Sequence, residues 1–201
     1  MTLRVGVCVS GRGTNLQAIL DACRDGRLDA QVVYVCSSRK SAPALERARA
    51  AGVPAEAFPP AANGGRAAAQ QLMARRLVAA DVELVVLAGY DRILGDGFWD
   101  VLAAGGDVPV INIHPSLLPA FGGLNRLKVH EAVLAAGVAE TGCSVHRAHR
   151  GMLDEGETLL QRRVPVLPGD DPETLEARVL AEEHTAIVDA VRQFVRPAAL
   201  V

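Results

Sequence analysis

The chain has 201 residues, half of them hydrophobic but only 3% aromatic, which suits one domain of helices packed on a sheet of Val, Ile and Leu. The net charge of −2 is spread along the sequence, with no basic block or aromatic-interleaved basic stripe, so a nucleic-acid partner is not expected. Cys8, Cys23, Cys36 and Cys143 lack any CxxC or Cys/His spacing, and no apolar run approaches a membrane span. Zinc, a disulfide framework and a membrane partner are thereby excluded, and a reducing, cytoplasmic setting is expected.

The apolar run 3–9 predicts a first strand, and Ser10-Gly-Arg-Gly-Thr-Asn15 turns it into a helix with Leu16, Ile19, Leu20 and Cys23 on one face. Small residues between a strand and a helix start suit anion binding, because the backbone can approach a phosphate and free N–H groups point at it. The spacing is neither a dinucleotide fingerprint nor a P-loop. An ordinary tight turn with Thr14 or Asn15 as N-cap explains it about equally well.

A second strand is expected over 31–37, then a helix opened by Pro43 and closed by Gly52, and a short edge strand within 53–58, where Pro54 would break a central one. Residues 59–65 read as a loop, followed by a helix over 66–78. The run 83–88 is a further buried strand whose exit, Gly89 to Leu94, should line a crevice, and a short helix follows around Phe98 to Leu102. Strands alternating with helices predict right-handed βαβ units in a parallel sheet.

Val110 and Ile111 begin a strand of central type. Asn112 and His114 share one of its faces by alternation, Ile111 and Ile113 the other, and Pro115 ends it. Polar side chains at the carboxyl end of a buried strand sit where open α/β sheets bind ligands. A capping Asn beside a satisfied core histidine is the equally simple alternative. The Leu118–Pro119 bond lies in a tight segment suited to cis. A helix over 127–136, strands over 141–148 and 158–166, and a final helix with Asp171 as N-cap and Pro172 at its first position complete the chain. Glu183 falls on the apolar stripe of that helix, and is either snorkelling at its edge or aimed into a polar site.

Ser10-Gly-x-Gly-x-Asn-Leu-Gln-Ala, Ala88-Gly-Tyr-x-Arg-Ile-Leu94, Asn112-Ile-His-Pro-Ser-Leu-Leu-Pro119 and Leu153-Asp-x-Gly156 together resemble the phosphoribosylglycinamide formyltransferases of the folate-dependent formyltransferase superfamily. The likeness runs from the first strand through the last helix. It implies a Rossmann-like α/β fold: a mostly parallel twisted sheet with helices on both faces and antiparallel pairing near the C-terminal strands. A single domain, 1–201, is implied, with residues 1–110 on the phosphate side and 111–201 on the folate and catalytic side. The implied reaction moves the formyl group of 10-formyltetrahydrofolate to the amine of 5′-phosphoribosylglycinamide in purine synthesis, without a metal. Small-molecule substrates and a monomer or homodimer are implied.

By the same resemblance Asn112, His114 and Asp154 are the catalytic trio. Gly11, Arg12, Gly13, Thr14 and Asn15 match the substrate-phosphate loop, Glu183 a residue holding the nucleotide, and Arg66 an arginine near it. Arg92, Ile93, Leu94, Asn112, Leu153 and Asp154 match the folate pocket. The chemistry suits these residue types. An amine attacking a formyl carbon places negative charge on the formyl oxygen, where donors from Asn112 and His114 would stabilise it, while Asp154 would orient or charge the imidazole.

The chain departs from the family pattern in three places. The loop from His146 to Asp154 is one residue longer, Asp91 stands where an apolar residue, often Met, is common, and Phe121 to His130 is longer than in the commonest forms. Sister chemistries remain alternatives. Methionyl-tRNA formyltransferase carries a further C-terminal domain and a basic surface, and formyltetrahydrofolate hydrolase an N-terminal regulatory domain, neither expected here. A non-catalytic nucleotide- or folate-binding domain is the remaining alternative.

Overall fold

The computed structural model describes residues 2–124 and 127–196. Strands and helices alternate through β1 (Leu3–Val9), α1 (Thr14–Arg24), β2 (Ala30–Ser37), α2 (Pro43–Ala50), β3 (Ala55–Ala57), α3 (Arg66–Ala79), β4 (Leu84–Leu87), α4 (Asp96–Ala104) and β5 (Val110–His114). Helix α5 (Leu127–Ala135) then leads to β6 (Glu140–Arg147) and β7 (Thr158–Pro165), and α6 (Pro172–Arg192) follows.

The strands form one sheet in the order β3-β2-β1-β4-β5-β6-β7. Pairing is parallel from β3 to β5. It turns antiparallel at β5–β6 and β6–β7, as expected for the C-terminal strands. Alternation along each strand divides the core between the two faces of the sheet. Val5, Val7, Leu84, Val86, Ile111 and Ile113 join the cluster under α1, α5 and α6. Cys8, Val85, Leu87 and Val110 point the other way, into the cluster under α3 and α4, where Phe98 is fully buried.

The element ends follow the local chemistry, with one correction. Asp171 caps α6 in a capping box with Thr174, and Pro172 opens the helix. Pro54 leaves β3 only three residues at the sheet edge. Neither Thr14 nor Asn15 is the N-cap of α1. Gly13 takes that position at φ 73°, with no side chain capping the first turn, and both residues lie inside the helix. A Cβ at Gly13 would also stand 2.5 Å from that of Ala44, so α2 packs too closely for a side chain there. The Leu118–Pro119 bond is cis. Among the described residues no helix is long and apolar enough to cross a membrane. Asn125 and Arg126, within the lengthened segment from Phe121 to His130, lie outside the described residues.

Candidate active site

The chain reverses its direction of travel across the sheet at β1, which has β2 on one side and β4 on the other. Crossover loops diverge at such a point and leave a crevice beyond the strand ends. Here the crevice has a volume of about 410 Å³ and is lined from the exits of β1, β4 and β5, the loop before β7, and α6.

Asn112 and His114 reach it from β5 on one face, and both contact Asp154. His114 Nδ1 lies 3.2 Å from Asp154 Oδ2. The Asn112 amide donates to Asp154 Oδ1 at 3.2 Å. The three expected trio residues are therefore brought together, and the His114 and Asp154 side chains are each only 5% exposed. A fourth group completes the cluster: His146 Nε2 lies 3.3 Å from Asp154 Oδ1 and 3.1 Å from the Asn112 amide nitrogen. Antiparallel pairing sets His146 directly opposite Asn112. Burial pushes the Asp154 carboxyl up, but His146, the Gly123 N–H at 2.9 Å and His114 outweigh it and hold the group below the usual carboxylate value.

His114 has acceptors at both ring nitrogens, since Nε2 lies 3.1 Å from the Phe121 carbonyl. Burial pushes its pKa below the ordinary histidine value, while Asp154 and the Phe121 carbonyl act in the opposite direction. A neutral ring can donate to only one of these partners. The donors expected to face a formyl oxygen are thus already engaged, Asn112 with Asp154 and His146, and His114 with Asp154 and Phe121.

On the other side of the crevice, the glycine loop and the start of α1 face α6. Asn15 donates to Glu183 Oε2 at 2.7 Å, and its own amide oxygen is buried without a partner among the described residues. Glu183 points into this polar site and is not a snorkelling edge residue. Burial raises its pKa to about 7 against the pull of Asn15. Gly11, Arg12, Gly13 and Thr14 line the same end, and Arg12 pairs with Glu176 of α6 at 2.7 Å. His130 is a lining residue that the sequence did not single out, with its Nδ1 buried and unpartnered among the described residues.

The far wall carries Arg92 and Ile93, and the mouth carries Leu124 and Leu153. Ile93 is 58% exposed and Leu153 47%, an apolar lip suited to a flat ring. Leu94 does not line the crevice. Gln70 bonds the Ile93 carbonyl and the Gly95 N–H, turning the segment so that Leu94 packs into the core. Arg66 also lies outside, exposed at the first turn of α3.

The departures have local explanations. Asp91 accepts from Ser38 at 3.2 Å and from Arg39, lies 3.5 Å from Arg92 Nε, and donates its backbone N–H to Ser10 at 3.0 Å. Burial opposes its ionisation, but Ser10, Arg39, Arg92 and Ser38 together lower its pKa. The exits of β1, β2 and β4 are tied together by this network. In the lengthened loop, Arg150 reaches outward to Asp96 and Asp100 of α4, so the extra length bulges away from the crevice and Leu153 and Asp154 still line it.

Comparison with known proteins identifies the same architecture elsewhere. The family model described as formyl transferase matches residues 3–191. The chain is 38% identical over 182 residues to phosphoribosylglycinamide formyltransferase of Escherichia coli, covering 90% of this chain and 82% of that protein. It is 42% identical over 190 residues to the trifunctional purine biosynthetic protein adenosine-3 of Drosophila pseudoobscura pseudoobscura, covering 94% of this chain but only 13% of the longer protein. The solved structure of glycinamide ribonucleotide transformylase 1 from Symbiobacterium toebii superposes with a TM-score of 0.88 at 48% identity, over 96% of this chain and 87% of that one. With the family model spanning almost every described element, and the trio gathered at the strand ends, the chain belongs to the formyl transferase family.

Proposed function

We propose that the protein transfers the formyl group of 10-formyltetrahydrofolate to the primary amine of 5′-phosphoribosylglycinamide. The observation that carries this reading is the position of the Asn112–His114–Asp154 cluster, between a glycine loop with Glu183 on one side and the apolar lip of Ile93 and Leu153 on the other. The names of its relatives favour the same acceptor. The N-terminal half supplies most of the phosphate end, and the C-terminal half supplies the catalytic groups.

The nucleotide phosphate sits against the first turn of α1, where uncapped N–H groups and the positive helix end favour an anion. Asn15 and Glu183 hold the glycinamide ribose end, the buried Asn15 oxygen receiving a substrate donor. Folate lies along Arg92, Ile93 and Leu153, with its formyl group toward β5. The amine forms a bond to the formyl carbon as the bond to the folate nitrogen breaks, and a proton passes from the one nitrogen to the other.

Charge on the formyl oxygen is met by His114 and Asn112. The Phe121 carbonyl occupies the place at His114 Nε2 that this oxygen takes, so binding exchanges one acceptor for another. Asp154, held ionised, fixes the ring through Nδ1 and stabilises it when charged.

The first test is release of tetrahydrofolate, followed spectrophotometrically, with and without phosphoribosylglycinamide. Release that requires the nucleotide, with formylated product confirmed by mass, is expected. Release without nucleotide would establish a hydrolase. Intact ligand binding with no release would leave a non-catalytic domain.

A further inference from the structure

One ion pair joins the glycine loop to α6 across the phosphate end of the crevice. Arg12 Nη2 donates to Glu176 Oε1 at 2.7 Å. The two side chains are 56% and 25% exposed, so the contact lies at the wet rim, where such pairs are worth little and exchange readily. The loop backbone is far less free. The Arg12 carbonyl accepts from Arg47 Nε at 2.9 Å, and the Gly11 carbonyl from the Ala44 N–H at 3.2 Å. The loop is pinned while its cationic head rests on a carboxylate that a stronger anion would displace.

The other arginines of the crevice are held differently. Arg39 and Arg92 both gather on Asp91, whose carboxylate is also bonded by Ser38. Among the described residues Arg12 is paired with a single carboxylate, on a different element. A phosphate monoester offers two negative charges and paired oxygens that match the guanidinium fork, which an exposed carboxylate at one nitrogen does not equal.

Taking the glycine loop as the phosphate subsite of the reaction proposed above, we propose that Glu176 is a positioning residue. It is a displaceable counter-ion that holds Arg12 at the rim and yields it to the substrate phosphate, so it sets the affinity of the nucleotide subsite without touching the reacting atoms. The pair also bears on Glu183, where Glu176 favours protonation and Arg12 opposes it, so handing Arg12 to the phosphate alters the charge balance around the residue that holds the ribose end.

The test is a double-mutant cycle of Glu176→Gln, Arg12→Gln and the double variant. Binding of ribose 5-phosphate and of ribose is measured by calorimetry, and kcat and KM for the nucleotide are measured in formyl transfer. Glu176→Gln is expected to bind ribose 5-phosphate about three- to tenfold more tightly, the range released by freeing an exposed pair and its nearby charge. It should lower KM by a similar factor, leave kcat unchanged and leave ribose binding unaltered. Arg12→Gln should weaken ribose 5-phosphate binding, and adding Glu176→Gln to it should recover under about twofold, what bare charge repulsion supplies.

Weaker or unchanged binding in Glu176→Gln overturns the proposal, because the pair would then be a scaffold. An equal gain in the Arg12→Gln background overturns it too, since Glu176 would then act without Arg12. Calorimetry needs no turnover. A cycle that behaves as expected in a protein without formyl transfer would remove the proposed reaction and leave the counter-ion role standing.

Discussion

His114 has two acceptors and, when neutral, one proton to offer them. In the proposed reaction, replacing His114 with Ala removes a donor to the developing charge, and turnover should fall by about 10²–10³. Ligand affinities should change only a few-fold, since the residue's work lies in the transition state. Steady-state kinetics of His114→Ala beside equilibrium binding of both ligands checks this, and turnover within threefold of the parent would defeat the assignment. Asn112 and His114 were legible in the sequence because alternation alone puts them on one face. His146 was not, because its meeting with Asn112 depends on the β5–β6 register, which no local pattern encodes. Glu176 was hidden for a similar reason, as its partner lies 164 residues away.

The loop between β6 and β7 shows how an element can hold one side chain. Asp154 sits at φ 56°, in the left-handed region that costs a non-glycine residue energy, and hydrogen bonds from Asn112 and Gly123 keep it there. Two residues on, Gly156 passes so close to β6 that an added Cβ would fall 1.7 Å from the Arg147 carbonyl oxygen. That atom is backbone and cannot rotate away. Gly156→Ala should therefore cost about 1–3 kcal/mol of stability by overpacking. It should also lower turnover at least about tenfold, because Asp154 shifts with the loop. Urea unfolding and the folate-release assay measure the two effects, and an active, equally stable variant would contradict both. Elements with local signals, such as the capped start of α6 and the apolar runs of β1, β2 and β4, were legible in advance. The direction of this loop was not, because the outward anchor of Arg150 on α4 is a long-range ion pair.

At the scale of the whole molecule, Glu183 links the site to global stability. Its pKa of about 7 in the folded chain lies above the ordinary 4.5, so the folded state binds that proton more tightly than the unfolded state does. The resulting stabilisation is fully present below about pH 4.5 and is lost as pH rises towards 7. Glu183→Gln should be more stable than the parent at pH 8 by up to about 3 kcal/mol, with the advantage closing by about pH 4. Urea midpoints across that range test the sign, and a parent that gains on the Gln variant as pH rises would refute it. A buried ionisable group that weakens the fold near neutrality is the stability cost of a polar site. Position on an apolar stripe revealed only that Glu183 was unusual, and which way it pointed depended on α6 packing beside α1.

The Asp91 network has an evolutionary consequence. Three strand exits converge on that carboxylate, and Arg39 and Arg92 both lean on it. A single mutational step from Asp91 to an apolar residue would leave Arg39 and Arg92 without the carboxylate they share, a poorer state than either endpoint. A path that replaces Arg39 and Arg92 first avoids that state, so the aspartate is easier to lose after its arginine partners than before them.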